Sequence, residues 1–470
     1  MAGTLLKRNY KKYLIADKAF YRRVIAIVLP IIVQNTITNV VSLLDNVMVG
    51  RVGTLEMSAV AIVNQLFFVY MLCIFGGLSG VGIFATQYAG AKDDDGVRHC
   101  FRLKIIMALI LFVGAALIFF LLPDKLISLY IAEGTSAADT AATLTHGTTY
   151  LKIMLIGLLP FAVTQVYAGT LRELGETKIP MLSSIAAIFI NLIFNYLLIF
   201  GKFGFPKLGV AGAAIATVMS RFVELAILII VTHSKKNTFT FIKGAYKSLY
   251  IPKQLCFGVL RRGTPLMINE FLWSAGMAFL LQCYSVRGID VVAAANISST
   301  ISNLFNVVFI SMGNAVAIMV GQYLGANQIK DAKLTAWRLI FLTSAVCIGI
   351  GGILAIFAPI IPHIYNVEDN VREIATSLLY IVAALMPVFA FAHNCYFTLR
   401  SGGKTGITFL FDTGVTWGVV VPLAFILANF TSLNIVPLFF IVQAIEILKC
   451  IIGFIMIKKG IWINNIIGKA

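Results

Sequence analysis

Long apolar runs dominate this chain, and short polar connections separate them. A helix needs about 20 mostly apolar residues to cross the hydrocarbon core of a bilayer. Twelve runs meet this requirement. The first six predicted spans are 24–47, 58–85, 103–122, 147–170, 180–200 and 209–232. The other six are 263–286, 291–322, 337–361, 374–399, 406–430 and 432–457. The pattern therefore predicts an all-α membrane protein with twelve transmembrane helices.

The two sets of six spans repeat each other. A shift of 235 residues aligns several motifs without a gap: Pro30 with Pro265, Gly53 with Gly288, Gln87-Tyr88 with Gln322-Tyr323, and Gly90-Ala91 with Gly325-Ala326. Further along, Leu171-Arg172 and Thr177 recur as Leu399-Arg400 and Thr405. The repeat predicts two homologous six-helix lobes, 1–233 and 263–470, joined by a basic cytoplasmic linker at 234–262. Parallel repeats of this kind are common in secondary transporters, which place the substrate path between them.

Composition and charge agree with a surface that faces lipid. Hydrophobic residues make up 59% of the chain and charged residues 12%, whereas soluble domains carry about 25% charged residues. With the N-terminus in the cytoplasm, roughly 28 basic residues fall on the cytoplasmic side and 6 on the outer side. This distribution follows the positive-inside rule. It explains the net charge of +17 better than nucleic-acid binding does, and it predicts that both termini are cytoplasmic. The terminal basic residues are Lys7, Arg8, Lys11, Lys12, Lys18, Arg22, Arg23, Lys458, Lys459 and Lys469.

The sequence lacks the signatures of several other classes of protein. Its seven cysteines are scattered without the spacing of a zinc site or a disulfide framework. It has no GxxxxGK[ST] phosphate-binding loop and no HExxH or GxSxG motif. The first apolar run continues past signal-peptide length, so we expect a retained membrane helix. We therefore expect no enzyme activity, no direct coupling to ATP and no cofactor.

Polar residues inside the predicted spans are the candidates for chemistry, because they are costly there. The first span contains Pro30, Gln34 and Asp45. Asn191 and Asn195 are four residues apart in the fifth span and therefore share one helix face. Asp45 would bind H⁺ or Na⁺. The amide and hydroxyl oxygens of Asn191, Asn195 and Thr217, the last in the sixth span, would complete a ligand set suitable for Na⁺ beside this carboxylate. The alternatives are an interfacial, hydrated Asp45 and ordinary helix–helix hydrogen bonds from the amides.

The second half offers two further acids. Glu270 follows Pro265 by five residues, and Asp412 lies early in the eleventh span. Each is a candidate for substrate binding or coupling, with Gln34 in the first half; an interfacial acid is the alternative. Arg221 with Glu224, and Glu446 with Lys449, are spaced i,i+3 in the sixth and twelfth spans. These pairs are expected to neutralise themselves and to be structural. His393 and Asn394 are weaker candidates.

These residues also resemble a known family, the multidrug and toxic compound extrusion (MATE) transporters. The resemblance rests on the run from Pro30 through Asp45 to Gly50, the Gln-Tyr-x-Gly-Ala motif at 87–91 and its copy at 322–326, and the segments 171–177, 191–195 and 212–217. It covers nearly the whole chain. It implies twelve helices in two lobes around a central cleft, with efflux of cationic compounds driven by H⁺ or Na⁺.

The resemblance also assigns roles to residues. It implies that Asp45 is the coupling carboxylate and that Asn191, Asn195 and Thr217 belong to the cation site of the first lobe. Some members carry aspartate at the position of Asn195. Many place a glutamate eight residues after the proline of the seventh helix, whereas Glu270 follows by five.

Residues and resemblance together predict a cation-coupled antiporter that exports small, cationic or amphipathic organic compounds by alternating access. Its partners would be the substrate, H⁺ or Na⁺ and the lipid bilayer of the cell membrane, with no nucleic acid and no metal beyond Na⁺. We expect a monomer. The alternatives are a flippase for lipid-linked precursors from the same superfamily, and a channel.

Overall fold

The computed structural model describes residues 16–131, 136–365 and 367–468, and in these ranges it forms helices and no strand. Eleven single helices and one bent pair among them are long and apolar enough to cross a membrane. In the first half they are α1 (Lys18–Gly50), α2 (Thr54–Ala91), α3 (Asp94–Leu121), α4 (Ala137–Ile156 with Leu158–Glu173), α5 (Lys178–Phe200) and α6 (Val210–Ser234). In the second half they are α7 (Lys253–Ser285), α8 (Ile289–Gly325), α9 (Ile329–Phe357), α10 (Asp369–Ser401), α11 (Thr405–Phe430) and α12 (Ile435–Lys459).

The twelve predicted spans match these twelve helices one for one, so the predicted fold class is confirmed. Several helices are longer than the apolar runs, since their polar ends continue the helix beyond the lipid core. The two parts of α4 meet at Gly157 at an angle of 45°. Lys7, Arg8, Lys11, Lys12 and Lys469, which contribute to the predicted orientation, lie outside the described residues.

Helix α11 is irregular at the position of a candidate residue. It contains π-helical turns at Leu410–Gly414 and Thr416–Val420. Pro422 follows closely, and because proline has no N–H it cannot bond the carbonyl four residues earlier. Wide turns of this type occur often at functional sites. Here they surround Asp412 and Thr416, and the Thr416 hydroxyl donates to the Asp412 carbonyl at 2.9 Å.

The described residues form two compact units that do not follow the repeat boundaries. One unit contains the residues up to Ile32, the segment Thr86–Lys92 and the residues from Leu260 onward. The other contains Val33–Ala85 and Asp93–Val259. The division within α1 falls two residues after Pro30, where the missing N–H weakens the helix. The lobe boundaries expected from the repeat, 1–233 and 263–470, remain a prediction.

The two copies of the Gln-Tyr-x-Gly-Ala motif contact each other within the first of these units. Gly90 lies against the backbone of Gln322, and Gly325 lies against the backbone of Gln87. A Cβ atom at either glycine would overlap the facing carbonyl group. Only glycine permits this close approach of the two backbones. This explains why both copies of the motif have glycine at this position. We call this reciprocal pair of contacts the glycine contact.

The buried side chain of Gln87 joins the glycine contact to the segment that follows α12. Its Nε2 donates to the carbonyls of Ser401 and Asn464, both at 3.1 Å, and its Oε1 accepts from the backbone N–H of Ile466 at 2.9 Å. Trp462 of the same segment is fully buried. The segment is therefore packed into the unit and is part of its core.

In the other unit, the linker between the two halves is folded against α3. The Arg102 guanidinium donates to the carbonyls of Gly244 and Ala245, both at 2.8 Å, and of Tyr250 at 3.1 Å. Phe241 of the linker is 1% exposed. One arginine thus satisfies three carbonyls that no regular secondary structure pairs.

We expect Arg102→Met to loosen this linker. The substitution keeps an apolar stem but removes three hydrogen bonds from a charged donor, each of which contributes about 1.5–3 kcal/mol. Limited trypsin digestion should then cleave after Lys243 or Lys247 at least about tenfold faster, because cleavage follows the population of the open form. Lys125→Met, at an exposed position outside this contact, is the control. Equal cleavage of all three proteins would contradict the prediction.

Candidate functional site

Helices α1, α5 and α6 bring the four predicted side chains of the first half together. The Asn195 Nδ2 donates to Asp45 Oδ1 at 2.7 Å. Asn195 and Asn191 are 1% and 6% exposed, and Asp45 is half-buried. Asp45 therefore points towards α5, which excludes a lipid-facing position for its side chain. All these residues belong to one of the two units.

Asn191 presents its amide to the same carboxylate. The amide atom nearest Asp45 lies 3.0 Å from Oδ2 and 3.2 Å from Oδ1. With the nitrogen at that position, Asn191 donates to the carboxylate and accepts from Thr217 Oγ1 at 3.3 Å. With the oxygen there, it accepts from Asn195 Nδ2 at 3.1 Å and donates to Thr217. Its oxygen then faces the carboxylate oxygens, an arrangement that a shared proton or cation would stabilise.

Two more groups complete this cluster. When Asn191 donates to it, the Thr217 hydroxyl donates in turn to the Ala213 carbonyl at 3.0 Å, which fixes it on α6. Tyr150 of α4, which is 4% exposed, shares a hydrogen bond with Thr217. Asn195 Oδ1 is buried and has no hydrogen-bond partner among the described residues. We refer to Asp45, Asn191, Asn195, Thr217 and Tyr150 as the Asp45 cluster.

The Asp45 cluster has the composition of a site for H⁺ or a hard cation. Carboxylate, amide and hydroxyl oxygens are the donors that hard cations prefer. A buried amide oxygen without a partner is costly, and a cation would satisfy it. Among the described residues there is no group of three or more His, Cys, Asp or Glu that could hold a metal ion. The predicted proximity is present, whereas the binding role of the cluster remains a proposal.

Gln34 lies in a different network of the same unit. Its Nε2 donates to Ser184 Oγ at 2.6 Å, and its Oε1 accepts from Arg172 at 3.0 Å. Ser184 in turn donates to Glu224. Arg221 and Glu224, which were expected to pair, interact electrostatically but make no direct ion pair among the described residues. Arg221 donates to the Gly157 carbonyl at 3.2 Å, which also accepts from the backbone N–H of Phe161 at 3.2 Å, and it lies over the rings of Phe67 and Phe161.

In the second half, Asp412 is not an isolated acid. Asn269 Nδ2 donates to Asp412 Oδ2 at 3.0 Å, and Lys449 Nζ donates to Asp412 Oδ1 at 3.1 Å. The expected ion pair between Glu446 and Lys449 is confirmed at 2.8 Å. Asn269 was missed at the level of sequence, although the 235-residue shift places it on Gln34.

Glu270 lies beside this network. It is half-buried, and its carboxylate has no hydrogen bond or ion pair within the described ranges. His393 of the neighbouring α10 packs its ring against Phe309 and Phe397, with ring centres 5.2 and 4.9 Å apart. His393 Nε2 and Asn394 Oδ1 are buried without a partner in the described part of the chain. A carboxylate near aromatic rings is suited to an organic cation.

Fold and site together describe a polytopic membrane protein with an internal repeat and a buried carboxylate in its first half. The profile of the MatE family matches residues 30–197 and 265–426, which is well over half of the chain. The two matches begin at Pro30 and Pro265, as the repeat predicts. The chain belongs to the MatE family, a family of transporters.

Similar proteins agree with this assignment. The chain is 25% identical over 457 residues to the probable multidrug resistance protein NorM of Thermotoga maritima, covering 96% of each chain. It is 29% identical over 425 residues to the probable multidrug resistance protein YoeA of Bacillus subtilis, covering 88% of each. A solved structure of a mutant of the Vibrio cholerae MATE transporter VcmN has the same fold, with a TM-score of 0.84, 19% identity and coverage of 94% of this chain and 97% of that one.

We expect Asn195→Leu to weaken cation dependence without abolishing the fold. Leucine preserves the volume but removes the donor to Asp45 and the unpaired Oδ1. The cation concentration that gives half-maximal transport should rise at least about tenfold, the equivalent of one lost ligand hydrogen bond. Asn429→Leu is the matched control, because Asn429 is exposed and, among the described residues, its side chain bonds only the Phe425 carbonyl. An unchanged half-maximal concentration in Asn195→Leu would exclude it as a ligand.

Proposed function

We propose that the chain is an antiporter that exports small, cationic or amphipathic organic compounds in exchange for H⁺ or Na⁺. The observation that carries the proposal is the Asp45 cluster, in which one carboxylate is surrounded by amide and hydroxyl groups inside a membrane-spanning helix bundle. The names of the relatives in Thermotoga maritima and Bacillus subtilis, probable multidrug resistance proteins, support export of drug-like substrates.

Coupling requires that the cation bind two conformations with different affinity. In this proposal the amides of Asn191 and Asn195 present nitrogen to the ionised Asp45 when the site is empty. They present oxygen when a cation occupies it. Because Asp45 follows Pro30 in α1, bending of α1 at the proline would move the carboxylate relative to α5 and so change the affinity.

The substrate is proposed to bind through Glu270 and the aromatic side chains of the second half. Glu270 interacts electrostatically with the Arg400 guanidinium and, more weakly, with Asp412, and it also acts on the ring hydroxyl of Tyr396. No direct hydrogen bond or ion pair occupies the Glu270 carboxylate in the described part of the chain. It would attract a cationic compound, and aromatic rings would supply the apolar contacts. Asp412 and Gln34 remain candidates, although the networks described above already occupy both side chains.

The proposal also covers the oligomeric state, the membrane and the orientation of the protein. The protein is proposed to be a monomer in the cell membrane with both termini in the cytoplasm, and to need no cofactor other than the coupling cation. The described basic residues Lys458 and Lys459, which end α12, agree with a cytoplasmic C-terminus.

Transport by purified protein in vesicles tests the proposal. A fluorescent organic cation is loaded, and its movement is followed under an imposed pH gradient, an imposed Na⁺ gradient, or neither. Uphill movement of the dye under one gradient is the expected result and identifies the ion. Flux that only follows the dye gradient would indicate a channel, and movement of a fluorescent lipid without dye transport would indicate the flippase.

A further inference from the structure

Each half contains three hydrogen-bonded polar residues at corresponding positions. The third residue is an acid in the first half and a base in the second. The 235-residue shift pairs Gln34 with Asn269. Arg172 aligns with Arg400 at a shift of 228 residues, and the same shift pairs Ser184 with Asp412. Helices α6 and α12 begin 225 residues apart, and this shift pairs Glu224 with Lys449.

Hydrogen bonds link each set of three in the same order. In the first half, Gln34 donates to Ser184, and Ser184 donates to Glu224. In the second half, Asn269 donates to Asp412, and Lys449 donates to Asp412. The central group is thus a hydroxyl that donates to an acid in one half, and an acid that accepts from an ammonium in the other.

The Lys449 ammonium is saturated by its surroundings. An ammonium has three donors, and Lys449 Nζ lies 3.1 Å from Asp412 Oδ1, 2.8 Å from Glu446 Oε1 and 3.5 Å from Thr416 Oγ1. Lys449 is only 6% exposed. Its three oxygen neighbours are the kind of ligand set that a hard cation would take, and the chain's own cation fills it.

The counterparts of the Asp45 cluster in the second half are apolar. The same shifts place Asp45 on Leu280 and Thr217 on Val442, and both belong to an apolar core cluster. Asn191 and Asn195 fall within residues 419–424, which are all apolar. The second half therefore has no carboxylate at the positions that correspond to the Asp45 cluster. Its Asp412 and Glu446 share the Lys449 ammonium, which offsets one of their two charges.

We propose that Lys449 is the built-in cation of the second half and limits the transporter to one coupling cation per cycle, bound at the Asp45 cluster. The inference rests on the proposed coupling role of that cluster. A tethered ammonium cannot exchange with solution, so the Asp412–Lys449–Glu446 triad keeps its charge in every state. Removing the ammonium would leave two carboxylates close together, and this arrangement is unfavourable unless a cation or a proton joins them.

The test uses full-length protein carrying Asp45→Asn, so that the first-half site does not contribute. Its melting temperature is compared with that of the Asp45→Asn/Lys449→Gln variant. One series varies NaCl from about 1 to about 300 mM with choline chloride as the balance. A second series varies pH from about 5 to about 8. The melting temperature of the Asp45→Asn parent should not depend on Na⁺. The Lys449→Gln variant should gain several degrees with Na⁺ or with falling pH, relative to the parent, because ligands that bind only the folded state stabilise it.

Three further variants make the comparison decisive. Adding Asp412→Asn to the Lys449→Gln variant should remove the new dependence, and Lys449→Arg should never show it. Glu270, Arg400 and His393, the other titratable groups near the triad, are the same in all variants and cancel in the comparison. If Lys449→Gln cannot be purified, Lys449→Met replaces it with the same expected dependence, because it also removes the ammonium and keeps both carboxylates.

Two results would overturn the proposal. One is a folded variant without Lys449 whose melting temperature depends on neither Na⁺ nor pH beyond the parent. The other is Na⁺ stabilisation of the Asp45→Asn parent itself. Neither result bears on whether Asp45 drives transport, which the vesicle experiment decides separately.

Discussion

We expect Asp45→Asn to abolish the proposed cation-driven efflux and to leave a folded protein. Asparagine has nearly the same shape as aspartate, and its carbonyl oxygen can still accept from Asn195 Nδ2, which lies 2.7 Å from Asp45 Oδ1. The local packing should therefore survive, with a melting temperature within about 2 °C of the wild type. The substitution removes the one group of the cluster that can carry a negative charge, so neither H⁺ nor Na⁺ is bound with useful affinity. Efflux under either gradient should fall to the level of vesicles without protein.

The control for this result is Asp290→Asn. Asp290 lies in the first turn of α8 and accepts from exposed Asn370 at 2.7 Å. The chemical change is identical, but the carboxylate is at the helix end and outside the Asp45 cluster. We expect wild-type efflux from this variant. Gradient-driven efflux by Asp45→Asn at the wild-type rate would show that coupling occurs elsewhere.

We expect Gly90→Ala and Gly325→Ala each to disrupt the glycine contact and to reduce transport greatly. A methyl group at either position would overlap a backbone carbonyl, which has no rotamer with which to move aside. Forced overpacking costs about 1–3 kcal/mol, which changes the population of the state that contains the contact by roughly 5- to 150-fold. We expect the melting temperature to fall by a few degrees and efflux to fall by about tenfold or more.

Glycines elsewhere in the membrane helices provide a control, because their substitution by alanine should not lower the melting temperature. Gly114 in α3 and Gly352 in α9 have open space where a Cβ would lie. Alanine favours the helix over glycine by about 0.5–1 kcal/mol. Gly114→Ala and Gly352→Ala should therefore keep or slightly raise the melting temperature and retain efflux. If Gly90→Ala behaves in the same way, the contact at Gln322 is not tight in the protein.

The sequence predicts the helices well because one physical rule dominates them. Backbone groups in lipid must be satisfied within the segment, so every sufficiently long apolar run becomes a helix. The proximity of Asn191 and Asn195 follows from helical periodicity in the same way. Their proximity to Asp45 was expected from the need of a buried carboxylate for donors.

Contacts between distant helices were predicted less well. The i,i+3 rule offers Glu224 as the partner of Arg221, but it cannot show that the direct hydrogen bond of Arg221 goes to the Gly157 carbonyl on another helix. It also offers Glu446 as the partner of Lys449 without showing that Asp412, on another helix, lies at a similar distance. Hydropathy fixes which residues are embedded, whereas the choice of partner depends on how the helices rotate against each other.

The glycine contact has the geometry of a two-fold interface. Gly90 lies against Gln322 and Gly325 lies against Gln87, so each residue meets the counterpart of its partner. This is the defining property of an isologous contact, in which one surface patch pairs with a second copy of itself. A single six-helix segment carrying this motif would already possess both sides of the contact. Two separate six-helix chains could therefore pair through the same surfaces, and joining them by a linker would add a covalent connection without requiring a new contact surface.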